Sequence, residues 1–255
     1  MQLNYELTPA ASDSAQATLL LIHGLFGSLS NLGVLARAFQ QDYQIIQIDL
    51  RNHGLSAHSS DMNYNLMAQD VLDTLDALNI KIFSVVGHSM GGKVAMKLTE
   101  LAPQRLEKLI VLDMAPVAYQ QRHHDVIFEA LKAVSQAHVE TRKQATEIMQ
   151  NYIKEMGVIQ FLLKSFHQGK WRFNVDVLFN HYTEITGWKE ISPWMKTTLF
   201  IRGENSPYIG KEEYISAIQR QFTDAKVQTV AQAGHWLHAE QPDQVIRFIK
   251  EFMNE

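Results

Sequence analysis

A serine with small residues two positions to either side, Gly87-His88-Ser89-Met90-Gly91, has the types and spacing that acyl transfer requires. The nucleophile of such a pattern sits in a strained, tight turn between a strand and a helix, where a larger Cβ at either outer position would strike the neighbouring chain. Context strengthens the pattern: a β-branched run precedes it and residues at helical spacing follow. The competing reading is a glycine-rich turn that binds a phosphate at a helix N-terminus. Neither G-x-x-x-x-G-K-[ST] nor G-x-G-x-x-G is present to support it.

A serine hydroxyl is a poor nucleophile until a neighbouring base takes its proton. Of the 11 histidines, His235 is the candidate, because it follows an apolar run at 227–230 and a small-residue turn at 231–234. That order brings it to the carboxyl edge of a parallel sheet, where Ser89 also lies. His23 reads instead as a structural histidine bonded to backbone. His88 is expected to point away from the nucleophile, since adjacent strand residues alternate faces. His235 and His238 have an i, i+3 spacing open to a metal, but no H-E-x-x-H or carboxylate cluster accompanies them. The oxyanion of a tetrahedral intermediate needs backbone N–H donors. The residue after the nucleophile, Met90, supplies one, and the loop at residues 23–27 supplies the other, with Leu25 the first choice and Phe26 the second.

These residues need a scaffold, and the chain supplies an alternating one. Apolar runs at residues 18–22, 44–48 and 82–86 are each followed by a turn and then by a helical period: Leu32, Leu35, Ala36 and Phe39; Ala68, Val71, Leu72 and Leu75; and a helix to about Leu101, stopped by Pro103. Further strands are expected at 109–112, 198–201 and 227–230, with Leu3, Tyr5 and Leu7 on an edge strand and a last helix through Val245, Phe248, Ile249 and Phe252. This rhythm implies an α/β fold with a mostly parallel central sheet flanked by helices. Residues 117–188 break it, offering helical periods and no convincing strand. Ala145, Ile148, Met149, Tyr152 and Met156 line one helix face, which Thr141 and Gln144 start as a capping box. The expected division is a core of residues 1–116 and 189–255, with a helical cap at 117–188 inserted after the strand that ends near Asp113 and covering the carboxyl ends of the strands.

Five motifs in order, HGLFGS, DLRNHGLS, GHSMGG, LDMAP and AGHWLHAEQP, span positions 23 to 242. Together they resemble the α/β-hydrolase superfamily, and most of all the YbfF-type bacterial esterases, which act on acyl esters including acyl-CoA thioesters. The resemblance covers essentially the whole chain. It implies the α/β-hydrolase fold, Ser89 as nucleophile, His235 as base and Leu25 and Met90 as oxyanion donors. The D-x-R-x-x-G-x-S loop, Asp49, Arg51, Gly54 and Ser56, is similar to a structural turn of the superfamily and is assigned no catalytic role.

The chain departs from the superfamily at the acid. A G-x-x-D pattern beyond the penultimate strand is usual, whereas here Gly203-Glu204-Asn205-Ser206 puts serine in the aspartate position. Asp113, at the end of the preceding strand, reaches toward the same histidine from an alternative strand end and is the candidate orienter. Its competing role is a cap before Met114-Ala115-Pro116. The resemblance adds Ser206 as an auxiliary partner, since members of the YbfF-type group carry their acid at the Asp113 position.

Composition narrows the partners. Hydrophobic residues are 46% and charged residues 20%, with 6 Pro and 13 Gly, which argues against a disordered or collagenous chain. The net charge of -4 with no basic block makes nucleic acid an unsuitable partner. With 0 Cys there is no disulfide, thiolate metal site or cysteine nucleophile, which fits a reducing, cytoplasmic setting. No run approaches the ~20 apolar residues of a membrane span. The N-terminal residues lack the basic region of a signal peptide. The expected activity is that of a serine esterase or thioesterase acting through an acyl-enzyme on small or acyl-CoA-type esters, with no cofactor or metal. Ser89 argues against the aspartate nucleophile of dehalogenases. A C–C bond hydrolase or perhydrolase would share every motif, and a hydrolase-fold receptor with little turnover, or a structural protein with vestigial motifs, remains a different class.

Overall fold

The computed structural model describes residues 1–12 and 17–255. A seven-stranded sheet runs in the order β1-β3-β2-β4-β5-β8-β9. Its strands are β1 (Tyr5–Thr8), β2 (Thr18–Ile22), β3 (Gln44–Ile48), β4 (Phe83–His88), β5 (Leu106–Leu112), β8 (Thr198–Gly203) and β9 (Ala225–Val230). A separate two-stranded ribbon pairs β6 (Phe166–His167) with β7 (Lys170–Trp171). The ribbon is antiparallel, and within the seven-stranded sheet only β1, among the described residues, is antiparallel, on β3, where it forms one edge. The rest pair in parallel.

Parallel strands covered on both faces carry continuous apolar runs. In β2, Leu19 and Leu21 face a cluster built with α1 (Gly33–Phe39) and α11 (Pro242–Met253), while Leu20 and Ile22 face α2 (Tyr64–Ala77) and α3 (Met90–Leu101). The helix stops and starts follow local chemistry. Asn63 caps α2 by accepting from Leu66 N–H at 2.9 Å, and Pro242 opens α11 at the position where its missing N–H costs nothing.

Between β5 and β8 the chain adds α4 (Asp125–Gln136), α5 (Arg142–Met149), α6 (Met156–Leu163), the β6–β7 ribbon, α7 (Val175–Asn180) and α8 (Tyr182–Thr186). The Thr141–Gln144 capping box opens α5. Two expectations are corrected here. The face from Ala145 to Met156 belongs to two helices: α5 ends at Met149, Ile153 takes the buried place, and Tyr152 and Met156 are exposed. The region also holds the short β6–β7 ribbon, whose turn is Gln168-Gly169 with φ of 48° and 76°. Positive φ at both central residues matches the twist of paired strands, so two residues suffice to reverse the chain.

At the carboxyl edge the strand order reverses between β2 and β4: the chain crosses from β2 to β3 on one side and then back to β4 on the other. Ligand crevices of α/β sheets open at such a reversal. The loops after β2 and β4 meet there.

Candidate active site

The turn carrying Ser89 is shorter than the sequence suggests. β4 continues through Gly87 and His88, paired with Val111 and Leu112, and α3 starts at Met90, so Ser89 alone makes the reversal, at φ 54° and ψ -120°. Both flanking glycines are needed sterically. A Cβ on Gly87 would lie 2.3 Å from the Gly91 carbonyl oxygen, and one on Gly91 would lie 2.4 Å from the His23 carbonyl oxygen.

His235 sits in the loop after β9, with Nε2 2.9 Å from Ser89 Oγ and Nδ1 2.6 Å from Asp113 Oδ2. Asp113 is fully buried at φ 53°, immediately past β5, and its N–H donates to the Ile201 carbonyl at 2.8 Å. Its carboxylate is well supplied with donors. Oδ1 accepts from Gly203 N–H at 3.1 Å, and Oδ2 also accepts from the Ser206 hydroxyl. The approach of the two loops depends on Gly203, whose Cβ would fall 2.1 Å from the Gly234 carbonyl oxygen. Glu204 lies apart, exposed, with Oε2 accepting from Gln232 N–H at 2.8 Å.

On the other side of Ser89, the loop after β2 is held by two histidines. His23 Nδ1 donates to the Gly24 carbonyl at 2.7 Å and its Nε2 accepts from Leu50 N–H at 3.0 Å. His53 Nδ1 donates to the Arg51 carbonyl at 2.9 Å and its Nε2 accepts from Phe26 N–H at 3.2 Å. Each ring donates once and accepts once, which is the neutral form. Burial favours that form, pushing His53 down to about 3 and His23 below its ordinary value. The Phe26 N–H is therefore taken. Among the described residues, none accepts from the N–H of Leu25 or of Met90.

The D-x-R-x-x-G-x-S loop supports this arrangement from below. Asp49 accepts from Leu29 N–H at 2.7 Å and Leu55 N–H at 2.8 Å, and the Arg51 guanidinium grips Asp70 through Nε at 2.6 Å and Nη2 at 2.9 Å. His53 rides on that loop.

The contact of Tyr208 with His235 had no sequence signal. Tyr208 lies flat on the His235 ring, with centroids 4.1 Å apart at 27°. His88 turns away from the serine hydroxyl, as strand alternation requires, and its Nε2 donates to the His235 carbonyl at 2.9 Å while its ring packs on His238 at 4.5 Å. Burial pushes His238 down to about 3 and holds His88 far below its ordinary value. Lys93, fully buried on α3, donates to the Thr186 and Gly187 carbonyls at 2.9 and 2.8 Å beneath the Tyr119 ring; burial pushes its ammonium down to about 7. Arg122 pairs with Asp125 at the start of α4, whereas His123 and His124 face the site. Among the described residues, no group of three or more metal-ligating side chains occurs, and no helix is long and apolar enough to cross a membrane. Both ring nitrogens of His235 are engaged as above.

Residues 19–248 match the alpha/beta hydrolase family. The chain belongs to that family. This hydrolase is 51% identical to "Esterase YbfF" of Escherichia coli (strain K12), over 100% of both chains. It is 36% identical to the "sn-1-specific diacylglycerol lipase ABHD11" of Mus musculus, over 99% of this chain and 85% of that protein. Among solved structures, a "Marine microorganism esterase" superposes with a TM-score of 0.92 at 34% identity, over 99% of each chain. The expected α/β-hydrolase fold and YbfF-type kinship both hold.

Proposed function

We propose that this hydrolase is a serine carboxylic-ester hydrolase that works through an acyl-enzyme, with Ser89 as nucleophile, His235 as base and Asp113 as the acid that orients it. The observation that carries the reading is the unbroken chain from Ser89 Oγ through both His235 nitrogens to a buried carboxylate, at 2.9 and 2.6 Å. His235 Nε2 takes the hydroxyl proton as Oγ attacks the ester carbon. Asp113 holds the Nδ1–H tautomer and stabilises the imidazolium that forms. Met90 N–H opens α3 with no helical acceptor, and Leu25 N–H is uncommitted, so both are available to the oxyanion. Phe26, whose N–H serves His53, positions that loop. The imidazolium then gives its proton to the departing alcohol oxygen as the C–O bond breaks, and water repeats the sequence to free the acid. Ser206 is the auxiliary donor that fixes Oδ2 of Asp113.

The names of the relatives support ester substrates. The proposed range includes small esters and acyl-CoA-type thioesters in a cytoplasmic setting, and residues 117–188 form a cap over the nucleophile, since Ile127, Phe161 and Tyr182 line the cavities that reach Ser89. The mechanism balances without a cofactor. A panel of p-nitrophenyl esters and acyl-CoA thioesters tests it. Turnover is expected with wild type and none with Ser89→Ala at unchanged thermal stability; equal turnover by the variant overturns the serine mechanism.

A further inference from the structure

Two cavities of very different size share Ser89. An inner pocket of ≈ 30 Å³ is walled by Tyr64, Met114, Tyr119, Tyr182, Ile185 and Tyr208, and both Leu25 and Met90 border it. An outer groove of ≈ 870 Å³ runs past Ile127, Val158, Phe161, Lys164 and Trp236, and has His235 in its wall. His235 borders the outer groove and not the inner pocket.

That asymmetry fixes which half of an ester goes where. In the tetrahedral intermediate the ester carbon carries the serine oxygen, the oxyanion, the acyl substituent and the leaving oxygen. The leaving oxygen must receive the proton that His235 Nε2 carries, so it lies within hydrogen-bond reach of that nitrogen. The alcohol half therefore occupies the outer groove. The acyl substituent takes the remaining direction, into the inner pocket. Resting on the serine-hydrolase reading above, we infer that this enzyme selects esters of short acids, of about two or three carbons, and accepts in the alcohol or thiol half a bulky aromatic or branched apolar body.

The pocket volume sets the acyl limit. A water molecule takes about 30 Å³ of liquid, and ~10–15 Å³ of probe-occupied space admits one. The inner pocket thus holds about two groups of methyl size. Its walls are pinned from the core rather than free to retreat. Tyr64 OH donates to the Ile185 carbonyl at 2.5 Å, Lys93 takes the next two carbonyls, and Tyr119 N–H donates to the Thr186 carbonyl at 3.0 Å. Tyr119 OH in turn donates to the Tyr208 carbonyl at 2.8 Å. The outer groove has the opposite character, with the Phe161 and Trp236 rings 5.6 Å apart forming an apolar wall that an aromatic alcohol can contact.

The test varies each half of the ester separately, using primary alcohols of matched acidity. Rates are measured for propyl acetate, propyl hexanoate, propyl octanoate, 3-phenylpropyl acetate and 3-phenylpropyl hexanoate, with wild type and Ser89→Ala. The expected result is a fall in kcat/KM of at least tenfold from propyl acetate to propyl hexanoate, and no fall from propyl acetate to 3-phenylpropyl acetate. Ile185→Ala and Met114→Ala, which enlarge only the inner pocket, are expected to raise the hexanoate-to-acetate ratio about tenfold. An octanoate turned over as well as the acetate, or a loss on enlarging the alcohol equal to that on enlarging the acid, overturns the inference while leaving the serine mechanism standing. Should either variant fail to fold, the wild-type series decides alone. Hydrolysis of none of these esters by an enzyme that turns over the p-nitrophenyl or acyl-CoA panel overturns the inference alone, whereas equal rates with Ser89→Ala overturn the mechanism and the inference with it.

Discussion

On one side of Ser89 the loop after β2 hangs from two histidine rings that burial keeps uncharged; on the other, the loop after β9 brings His235 onto a buried carboxylate supplied by Asp113. Both sides use histidines, yet the rings hold different things. On the proposed mechanism, the β2 side fixes a backbone whose N–H groups must already point at the place where negative charge develops. The β9 side fixes a side chain that, on the same mechanism, must gain and lose a proton. Neutral rings suit the first task because a charge there would titrate and alter the bonds that set the loop. A carboxylate suits the second because it favours imidazolium only when the proton arrives.

The comparison breaks most visibly at the carboxylate. Asp113→Asn is expected to keep the fold and cut turnover by ~10⁴, because the amide favours the wrong imidazole tautomer. Kinetics with circular dichroism on the same sample check this, and a mild effect with a crippled Glu204→Gln would move the acid beyond β8. On the neutral side, His53→Ala removes the acceptor for Phe26 N–H and loosens the oxyanion loop. The expected loss in kcat is about 10²-fold, below the ~10³ upper range for deleting a donor outright. His53→Gln, whose amide both donates and accepts, is expected to restore most of it, and a rate no better than His53→Ala would show that the hydrogen bonds are not what matters.

Acid sharpens the contrast. Unfolded, His53 titrates near ~6.5; folded, it does so at about 3. Between those values the unfolded chain binds a proton that the folded chain does not, so stability falls as pH falls through that window. Urea unfolding at pH 6 and pH 5 is expected to show wild type losing about tenfold more in its folding constant per pH unit than His53→Gln. Equal slopes would mean the ring is not held neutral. A smaller effect belongs to Ser206→Ala, which removes one hydrogen bond of roughly 0.5–1.5 kcal/mol and is expected to slow turnover tenfold at most. Glu204→Gln should be silent.

Much of this site was legible because it is written in small-residue requirements and strand ends. The glycines around Ser89 have no room for a Cβ, and Asp113, one residue past β5, lies beside His235 as chain order suggests. The serine in the usual aspartate position was legible as a departure. What escaped notice depends on packing between distant segments. His53 reads as one residue of a structural loop, and nothing in its neighbourhood says that its ring reaches Phe26, 27 positions earlier. Tyr208 on His235 is invisible for the same reason. The split of the 145–156 helical face was missed because periodicity counts apolar positions without registering that the chain leaves the helix after Met149 and re-enters at Met156.

The three carbonyls gripped by Tyr64 and Lys93 have a mechanical consequence. Lys93 stands one turn into α3, the helix whose first residue is Met90, directly after Ser89. On the inference drawn above, the pocket that gauges the acyl group is thereby bolted to the same beam as the proposed nucleophile. The inserted segment is thus clamped at its return end, whereas α4 and α6 supply Ile127, Val158 and Phe161 to the outer groove. On the inference drawn above, room for the alcohol and the length of the accepted acid are then separate adjustments: the first belongs to α4 and α6, the second to the clamped end.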